Sequence, residues 1–176
     1  MKIQKVKNSM KIIRKGGIGV MPTDTLYGLV GSALSKNVVE KIYKVRKRNP
    51  KKPMIVLISS IADLKKFDVV PEKRVMHVLK KVWPGPVSVI LKCESKKYAY
   101  LHRGTHTLAF RVPKQLWLRA LLKKTGPLVA PSANIEWQPP AHTIEEAHAY
   151  FGTKVDGYYD RGILKNPPSL LIEIRR

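Results

Sequence analysis

The chain has 176 residues, 44% of them apolar, and 34 Lys and Arg against 12 Asp and Glu give a formal charge of +22. This length predicts one compact domain over residues 1–176 with no second domain, and the apolar content excludes a disordered chain. Cys93 is the single cysteine, which excludes an internal disulfide framework and a cysteine-rich zinc site. Such cysteine usage fits a reducing compartment.

We expect a cytoplasmic protein without a membrane interaction. The N-terminal segment MKIQKVKNSMKIIRKGG carries Lys or Arg every few residues and lacks the continuous apolar region of a secretory signal. The most apolar stretch, residues 54–58, is far shorter than the about 20 residues that span a bilayer.

The positive charge is unevenly distributed along the chain. Residues 1–124 hold 29 basic and 6 acidic side chains, whereas residues 125–176 hold 5 and 6. Such an excess favours polyanionic partners, including weak and sequence-independent RNA binding. Lysine side chains that only keep the protein surface hydrated would give the same excess of basic residues. Charge alone therefore does not identify a partner.

Helices and strands alternate along the predicted chain. Apolar spacing predicts a helix over 4–15, a buried strand over 18–21, and a second helix that ends before Asn49-Pro50. Further strands are predicted over 54–58, 87–91, 108–112, 128–130, 155–159 and 170–174, and further helices over 60–67, 72–82, 114–124 and 143–151, the last capped by Thr143. The alternation predicts an α/β protein with a mixed sheet and flanking helices.

Standard nucleotide and metal motifs are absent from the sequence. It contains no Walker loop, no G-x-G-x-x-G fingerprint and no G-x-S-x-G nucleophile elbow. His102 and His106 have i, i+4 spacing, but Arg-Gly-Thr between them disfavours the helix that would align both on a metal ion. We therefore predict no metal site and no covalent catalysis.

Three pairs of polar or charged residues with i, i+2 spacing lie at the ends of apolar segments: Thr23 and Thr25, Lys44 and Arg46, and Ser132 and Asn134. In extended backbone, residues i and i+2 project to the same side, whereas on a helix they diverge by about 200°. These pairs therefore suit strand ends and frayed helix ends, and each could face one cleft. Cations beside hydroxyl and amide donors suit phosphate and carboxylate oxygens, and Arg111 at another strand end adds a bidentate donor. The pattern predicts an anion site, although each pair taken singly also fits a cap, a turn or a solvated face.

Five segments, PTDTLYGL, KVRKRNPKKP, WPGPVSVIL, LAFRVP and PLVAPSAN, occur in the order and spacing of the YrdC-like domain family. The resemblance covers about residues 10–172. It is strongest to the threonylcarbamoyl-adenylate synthases, whose K-x-R and S-x-N signature is matched by Lys44, Arg46, Ser132 and Asn134. The resemblance implies a twisted open sheet around a deep, basic concave cleft.

The resemblance also implies an activity. L-threonine, bicarbonate and ATP would give threonylcarbamoyl-adenylate and pyrophosphate, with magnesium assisting, in a nucleotidyltransferase reaction whose product feeds the tRNA-modification machinery. Lys44 and Arg46 would be catalytic. The nucleotide phosphates would be held by this pair together with Ser132, Asn134 and the nearby Arg111, and the threonine and carbamate side would be served by Thr25, Lys52 and Ser169.

The chain departs from the family pattern at two places. Relatives continue S-A-N with a Ser-Gly step where this chain has Ile135-Glu136-Trp137, and their final Ser-Thr is here Ser169-Leu170. We therefore expect a different cleft rim. Two alternatives remain: a YrdC-like RNA-binding module without the chemistry, and the YrdC-like part of a carbamoyl transferase for hydrogenase maturation, which normally belongs to a much longer, cysteine-rich chain.

Overall fold

A computed structural model describes residues 6–174 of the chain. The helices are α1 (Val6–Arg14), α2 (Lys36–Arg46), α3 (Lys73–Val82), α4 (Ala99–His102), α5 (Leu116–Thr125) and α6 (Ile144–Phe151), with 3-10 turns at Ile61–Phe67, Lys96–Tyr98 and Gly152–Lys154. The strands are β1 (Gly19–Pro22), β2 (Tyr27–Ser32), β3 (Ile55–Leu57), β4 (Val87–Lys92), β5 (Thr107–Arg111), β6 (Leu128–Val129), β7 (Gly157–Tyr158) and β8 (Leu170–Glu173). The predicted start of the first helix at residue 4 lies outside the described residues.

All eight strands belong to one mixed sheet with the order β7-β1-β2-β6-β3-β5-β4-β8. The pairs β1/β7, β3/β5 and β4/β8 are parallel, and the other four pairs are antiparallel. This arrangement confirms the predicted α/β class with a mixed sheet and flanking helices.

Alternating side chains of the central strands enter two hydrophobic clusters, as the two-residue period of a strand requires. Val20, Leu29 and Val56 belong to one cluster, which also contains buried side chains of α2 and α6. Their chain neighbours Met21, Val30 and Leu57 belong to the other, together with buried side chains of α1 and α5. Helices therefore cover both faces of the sheet. The candidate site lies at the ends of its strands.

The sequence analysis missed β2, which lies between β1 and β6 near the middle of the sheet. Its segment, Tyr-Gly-Leu-Val-Gly-Ser, contains two glycines, a residue type that is depleted in strands. Close packing explains one of them, because a Cβ on Gly31 would lie 2.4 Å from Val38 Cγ1 on α2. Gly31 therefore allows α2 to pack closely, and the same glycine weakens the strand pattern in the sequence.

One predicted helix differs from expectation in detail, because the segment predicted as helical over 60–67 forms a 3-10 helix. Helix α2 ends before Asn49-Pro50 as predicted; its last residue is Arg46, and Lys47 adopts the left-handed conformation (φ 50°). The predicted cap at Thr143 is confirmed, since its Oγ1 accepts a hydrogen bond from Glu146 N at 3.2 Å.

Candidate functional site

A cavity of about 250 Å³ opens between the β1–β2 turn, the end of β5, the loop after β6 and the segment that precedes β8. Its lining includes Thr23, Thr25, Arg111, Ser132 and Ser169. Four of these five were predicted as site residues from the sequence, and Thr23 belongs to one of the predicted pairs. Residues that are up to 146 positions apart in the chain therefore share one wall.

The β1–β2 turn presents two buried threonine hydroxyls to this cavity. Thr23 Oγ1 donates to Leu26 O at 2.7 Å, accepts from Thr25 N at 3.2 Å, and lies 3.1 Å from Thr25 Oγ1. The hydrogen bonds fix the turn, so the predicted pairing of the two hydroxyls on one side is confirmed.

Arg111, at the end of β5, supplies the cation of the cavity wall. Its Nη2 lies 3.1 Å from Asp24 Oδ1, and both side chains are buried. Burial lowers the pKa of Arg111, and the Asp24 carboxylate opposes that effect. Arg111 Nε is buried and has no hydrogen-bond partner among the described residues.

The loop after β6 brings Ser132 and Asn134 together with Arg46. Arg46 Nη2 lies 2.9 Å from Asn134 Oδ1 and 3.3 Å from Ser132 Oγ, and its Nε donates to Asn134 O at 3.0 Å. Ser132 Oγ donates to Asn134 Oδ1 at 2.6 Å. The loop is held in place because Ala133 N donates to Tyr27 O at 2.8 Å, which extends the pairing with β2.

Lys44 does not share this environment. Both Lys44 and Arg46 lie in α2, where residues two apart diverge by about 200° around the axis. Arg46 is therefore buried, with a pKa that burial and the neighbouring Arg48 lower to about 10, whereas Lys44 is exposed. The pair lies on a regular helix and so lacks the strand-end or frayed-helix geometry that its spacing was expected to have.

Lys52 contacts Glu136 and Trp137, which belong to the segment that departs from the family pattern. Its Nζ lies 2.5 Å from Glu136 Oε1 and 4.4 Å from the centroid of the Trp137 ring. The hydrogen bond from Lys52 lowers the pKa of Glu136. The sequence analysis noticed the unusual residues but did not predict their contact, which joins positions 84 apart in the chain.

Ser169 also lines the cavity. Its Oγ is 3.0 Å from Oγ of the buried Ser88 on β4. The segment leading to it is tied to β2, because the Tyr27 hydroxyl lies 2.8 Å from Gly162 O and accepts from Arg161 N at 2.9 Å. Burial raises the pKa of Tyr27 to about 12, so this hydroxyl stays protonated. Sequence reasoning missed Tyr27, Asp24 and Glu136.

The predicted deep, basic cleft is not evident from the lining of this cavity. Arg111 is the one charged residue that lines it among the described residues, and Asp24 pairs with that charge. Another cavity of about 250 Å³, between α3 and β4, contains none of the predicted site residues.

Residues 6–174 contain no cluster of three or more His, Cys, Asp or Glu side chains with the placement of a metal site. Within the same residues, no helix has the length and apolar character to cross a membrane.

The fold and site define a class of α/β domain in which hydroxyl, amide and guanidinium groups gather beside one end of a mixed sheet. Comparison with protein families is more specific. Residues 11–175 match the Sua5/YciO/YrdC family, which carries the description "Telomere recombination". The chain belongs to this family.

Named relatives agree with this assignment. Threonylcarbamoyl-AMP synthase of Bacillus subtilis is 30% identical over 160 residues, which cover 89% of this chain and 46% of that protein. The protein of the same name from Marinobacter nauticus is 31% identical over 163 residues, which cover 90% of this chain and 85% of that protein.

A solved structure gives the same result. The crystal structure of P. abyssi Sua5 complexed with L-threonine matches with a TM-score of 0.87 and 28% identity, over 99% of this chain and 52% of that one. The chain spans about half the length of the B. subtilis and P. abyssi relatives.

Proposed function

We propose that this protein is a threonylcarbamoyl-AMP synthase, an enzyme that transfers the adenylyl group of ATP to threonine carbamate. The observation that carries the proposal is the contact of Arg46 with Ser132 and Asn134, which brings together three of the four signature residues from segments 86 to 88 residues apart. The names of the relatives and the threonine-bound neighbour support the same reaction.

The reaction needs no nucleophile from the protein. The threonine amine and bicarbonate first form a carbamate with loss of water. A carbamate oxygen then attacks the α-phosphorus of ATP, a new P–O bond forms, and the bond to the bridging oxygen breaks to release pyrophosphate. The protein has to position two anions and stabilise the charge that develops at the phosphorus.

The described side chains divide into two groups for this task. We assign the ATP phosphates to Arg46, Ser132, Asn134 and Arg111, with Lys44 reaching them from the exposed side of α2. We assign the threonine and carbamate to Thr25, Ser169 and Lys52. Guanidinium groups suit this role because they donate in a planar fork that matches phosphate and carboxylate oxygens.

Magnesium would arrive on the phosphates of ATP as part of the substrate. Mg²⁺ in such sites keeps several waters and takes few protein ligands, so it does not require a dedicated cluster of carboxylates. The hydroxyls of Thr23, Thr25 and Ser132 and the amide of Asn134 are oxygen donors of a suitable kind beside the cavity.

The test is pyrophosphate release by the purified protein. We expect release only when ATP, magnesium, threonine and bicarbonate are all present, together with a product whose mass is that of threonylcarbamoyl-adenylate. Serine should support partial activity, because a pocket that distinguishes one methyl group contributes only about 1–3 kcal/mol. Equal release without any amino acid would reject the proposal and favour a module without the chemistry.

A further inference from the structure

The loop after Asn134 carries two side chains that contact Lys52. Glu136 Oε1 lies 2.5 Å from Lys52 Nζ, and the same ammonium lies 4.4 Å from the Trp137 ring centroid. The Glu136 side chain is 8% exposed and that of Lys52 is 43% exposed. The ammonium is therefore held on two sides while part of it still faces solvent.

The backbone at Trp137 has an unusual conformation beside this contact. Its φ of 71° lies in the left-handed region, which bulky side chains rarely adopt. Such a conformation persists only where surrounding contacts hold it. Asn134 Nδ2 supplies two of them by donating to Ile135 O and Gln138 O, each at 2.8 Å.

Glu136 also fixes the chain on the other side of Lys52. Its Oε2 accepts a hydrogen bond from Asn49 N, and its own N donates to Arg46 O at 2.9 Å. Because Arg46 in turn binds the Ser-Ala-Asn loop, one glutamate connects Lys52 to the candidate phosphate site. Movement of Lys52 relative to Arg46 would have to break these bonds.

A clamped ammonium is suited to binding a further anion. It has three N–H donors, and the contact with Glu136 uses one of them. A lysine side chain that is already ordered loses less conformational entropy when a ligand binds. The two remaining N–H donors are left to bind a substrate carboxylate.

We propose that Glu136 and Trp137 form a clamp that positions Lys52 for the carboxylate of the amino-acid substrate. Glu136 is a positioning residue in this scheme, because it acts through Lys52 and does not touch the reacting atoms. The inference rests on the proposed function, in which Lys52 serves the threonine and carbamate side.

Kinetics of the Glu136→Gln variant test the clamp. We expect the KM for threonine to rise about 10-fold while kcat changes less than about 2-fold, since loss of uniform binding acts on KM alone. The matched control is Glu40→Gln, which removes an ion pair with Arg103 at the other end of α2 and should leave KM and kcat unchanged. Lys52→Met should raise KM, and adding Glu136→Gln to it should have no further effect.

Nuclear magnetic resonance supplies a readout that does not need activity. The methylene protons of Lys52 next to the ammonium should show an upfield ring-current shift that Trp137→Ala abolishes and Glu136→Gln reduces. Absence of that shift, an unchanged or lower KM in Glu136→Gln, or additive effects of the two substitutions would overturn the clamp. Failure of the wild-type protein to release pyrophosphate would reject the proposed function instead, and the spectra would still decide whether Lys52 is clamped.

Discussion

Arg111 Nη2 and Asp24 Oδ1 lie 3.1 Å apart in the wall of the candidate site, with side chains that are 4% and 2% exposed. The second oxygen of Asp24 accepts a hydrogen bond from Lys114 N at 3.3 Å, so the carboxylate also fixes the chain just beyond β5. A buried cation is thereby compensated, although its Nε has no hydrogen-bond partner among the described residues.

Loss of the Asp24 charge should destabilise the protein. Asp24→Asn leaves the Arg111 guanidinium buried without its counter-charge, and removal of one partner from a buried pair costs about 3–5 kcal/mol. Urea denaturation should show a corresponding loss in the free energy of unfolding. The exposed pair Lys41–Asp156, with side chains that are 42% and 43% exposed, provides a comparison, since Lys41→Gln should cost at most about 1 kcal/mol. Equal losses in the two variants would contradict this account.

Replacing Arg46 and replacing Lys44 should have different effects on kcat/KM and on the melting temperature. Arg46→Ala removes the donor shared by Ser132 and Asn134 and should reduce kcat/KM about 100-fold to 1,000-fold. Arg46→Lys should not recover full activity, because an ammonium cannot reproduce the fork. Lys44→Ala changes an exposed side chain and should reduce kcat/KM without lowering the melting temperature. Near-normal rates in both alanine variants would exclude this pair from the proposed phosphate site.

Ser132 and Asn134 should separate nucleotide binding from stability. Ser132→Ala should weaken binding of a non-hydrolysable ATP analogue, measured by calorimetry, with little change in melting temperature. Asn134→Ala should lower both, because the Asn134 amide also holds Ile135 and Gln138 through their carbonyl oxygens. Intact nucleotide affinity in Ser132→Ala would show that this hydroxyl serves the turn alone.

Stability should depend on pH through Asp63. Burial acts to raise the pKa of this carboxyl, but hydrogen bonds from Lys66 and Ser59 outweigh it and hold the pKa below its ordinary value of 3.8. A depressed pKa contributes stability that is present above the ordinary value and is lost as pH falls through the lowered one. The difference in unfolding free energy between wild type and Asp63→Asn should therefore be largest near neutral pH and shrink below about pH 4. A difference that stays constant with pH would refute this.

RNA binding should follow the distribution of charge. The exposed face of α3 carries Lys73, Arg74, His77, Lys80 and Lys81, with no interleaved aromatic residue. We expect weak binding without base preference, in which the logarithm of affinity falls by roughly 0.7 to 0.9 per neutralised phosphate as the logarithm of salt rises. Tight, salt-insensitive binding that Arg46→Ala abolishes would place the RNA in the candidate site instead.

The sequence predicted elements with strong apolar periods and missed those shaped by contacts from elsewhere. Strand β4 and the cap at Thr143 were predicted, because both depend on neighbours in the chain. Strand β2 was missed. A glycine is needed at position 31 because α2 packs closely there, and that glycine weakens the strand pattern in the sequence. Local residue types therefore identified the central strands β3 and β6 as well as the edge strands β7 and β8, and missed the strand whose sequence accommodates a close helix contact.

The candidate site shows the same division. Ser132 and Asn134 follow a strand, so two-residue spacing placed them on one side; the same spacing failed for Lys44 and Arg46, which lie on a helix. Asp24 pairs with Arg111, which lies 87 residues away in the chain. Glu136 pairs with Lys52, which lies 84 residues away. No local pattern encodes those partners, so their contacts appear only once the chain has folded.

The wall formed by Ser169 has a consequence for synthesis on the ribosome. The segment from Asp160 to Ser169 is translated after strands β1 to β7, yet it completes a cavity that also contains Thr23. A nascent chain that has emerged only as far as β7 can pair its sheet strands from β1 to β7 but still lacks the residues that enclose the cavity. Ligand affinity should therefore appear only after Ser169 has emerged, when strands β1 to β7 are already present.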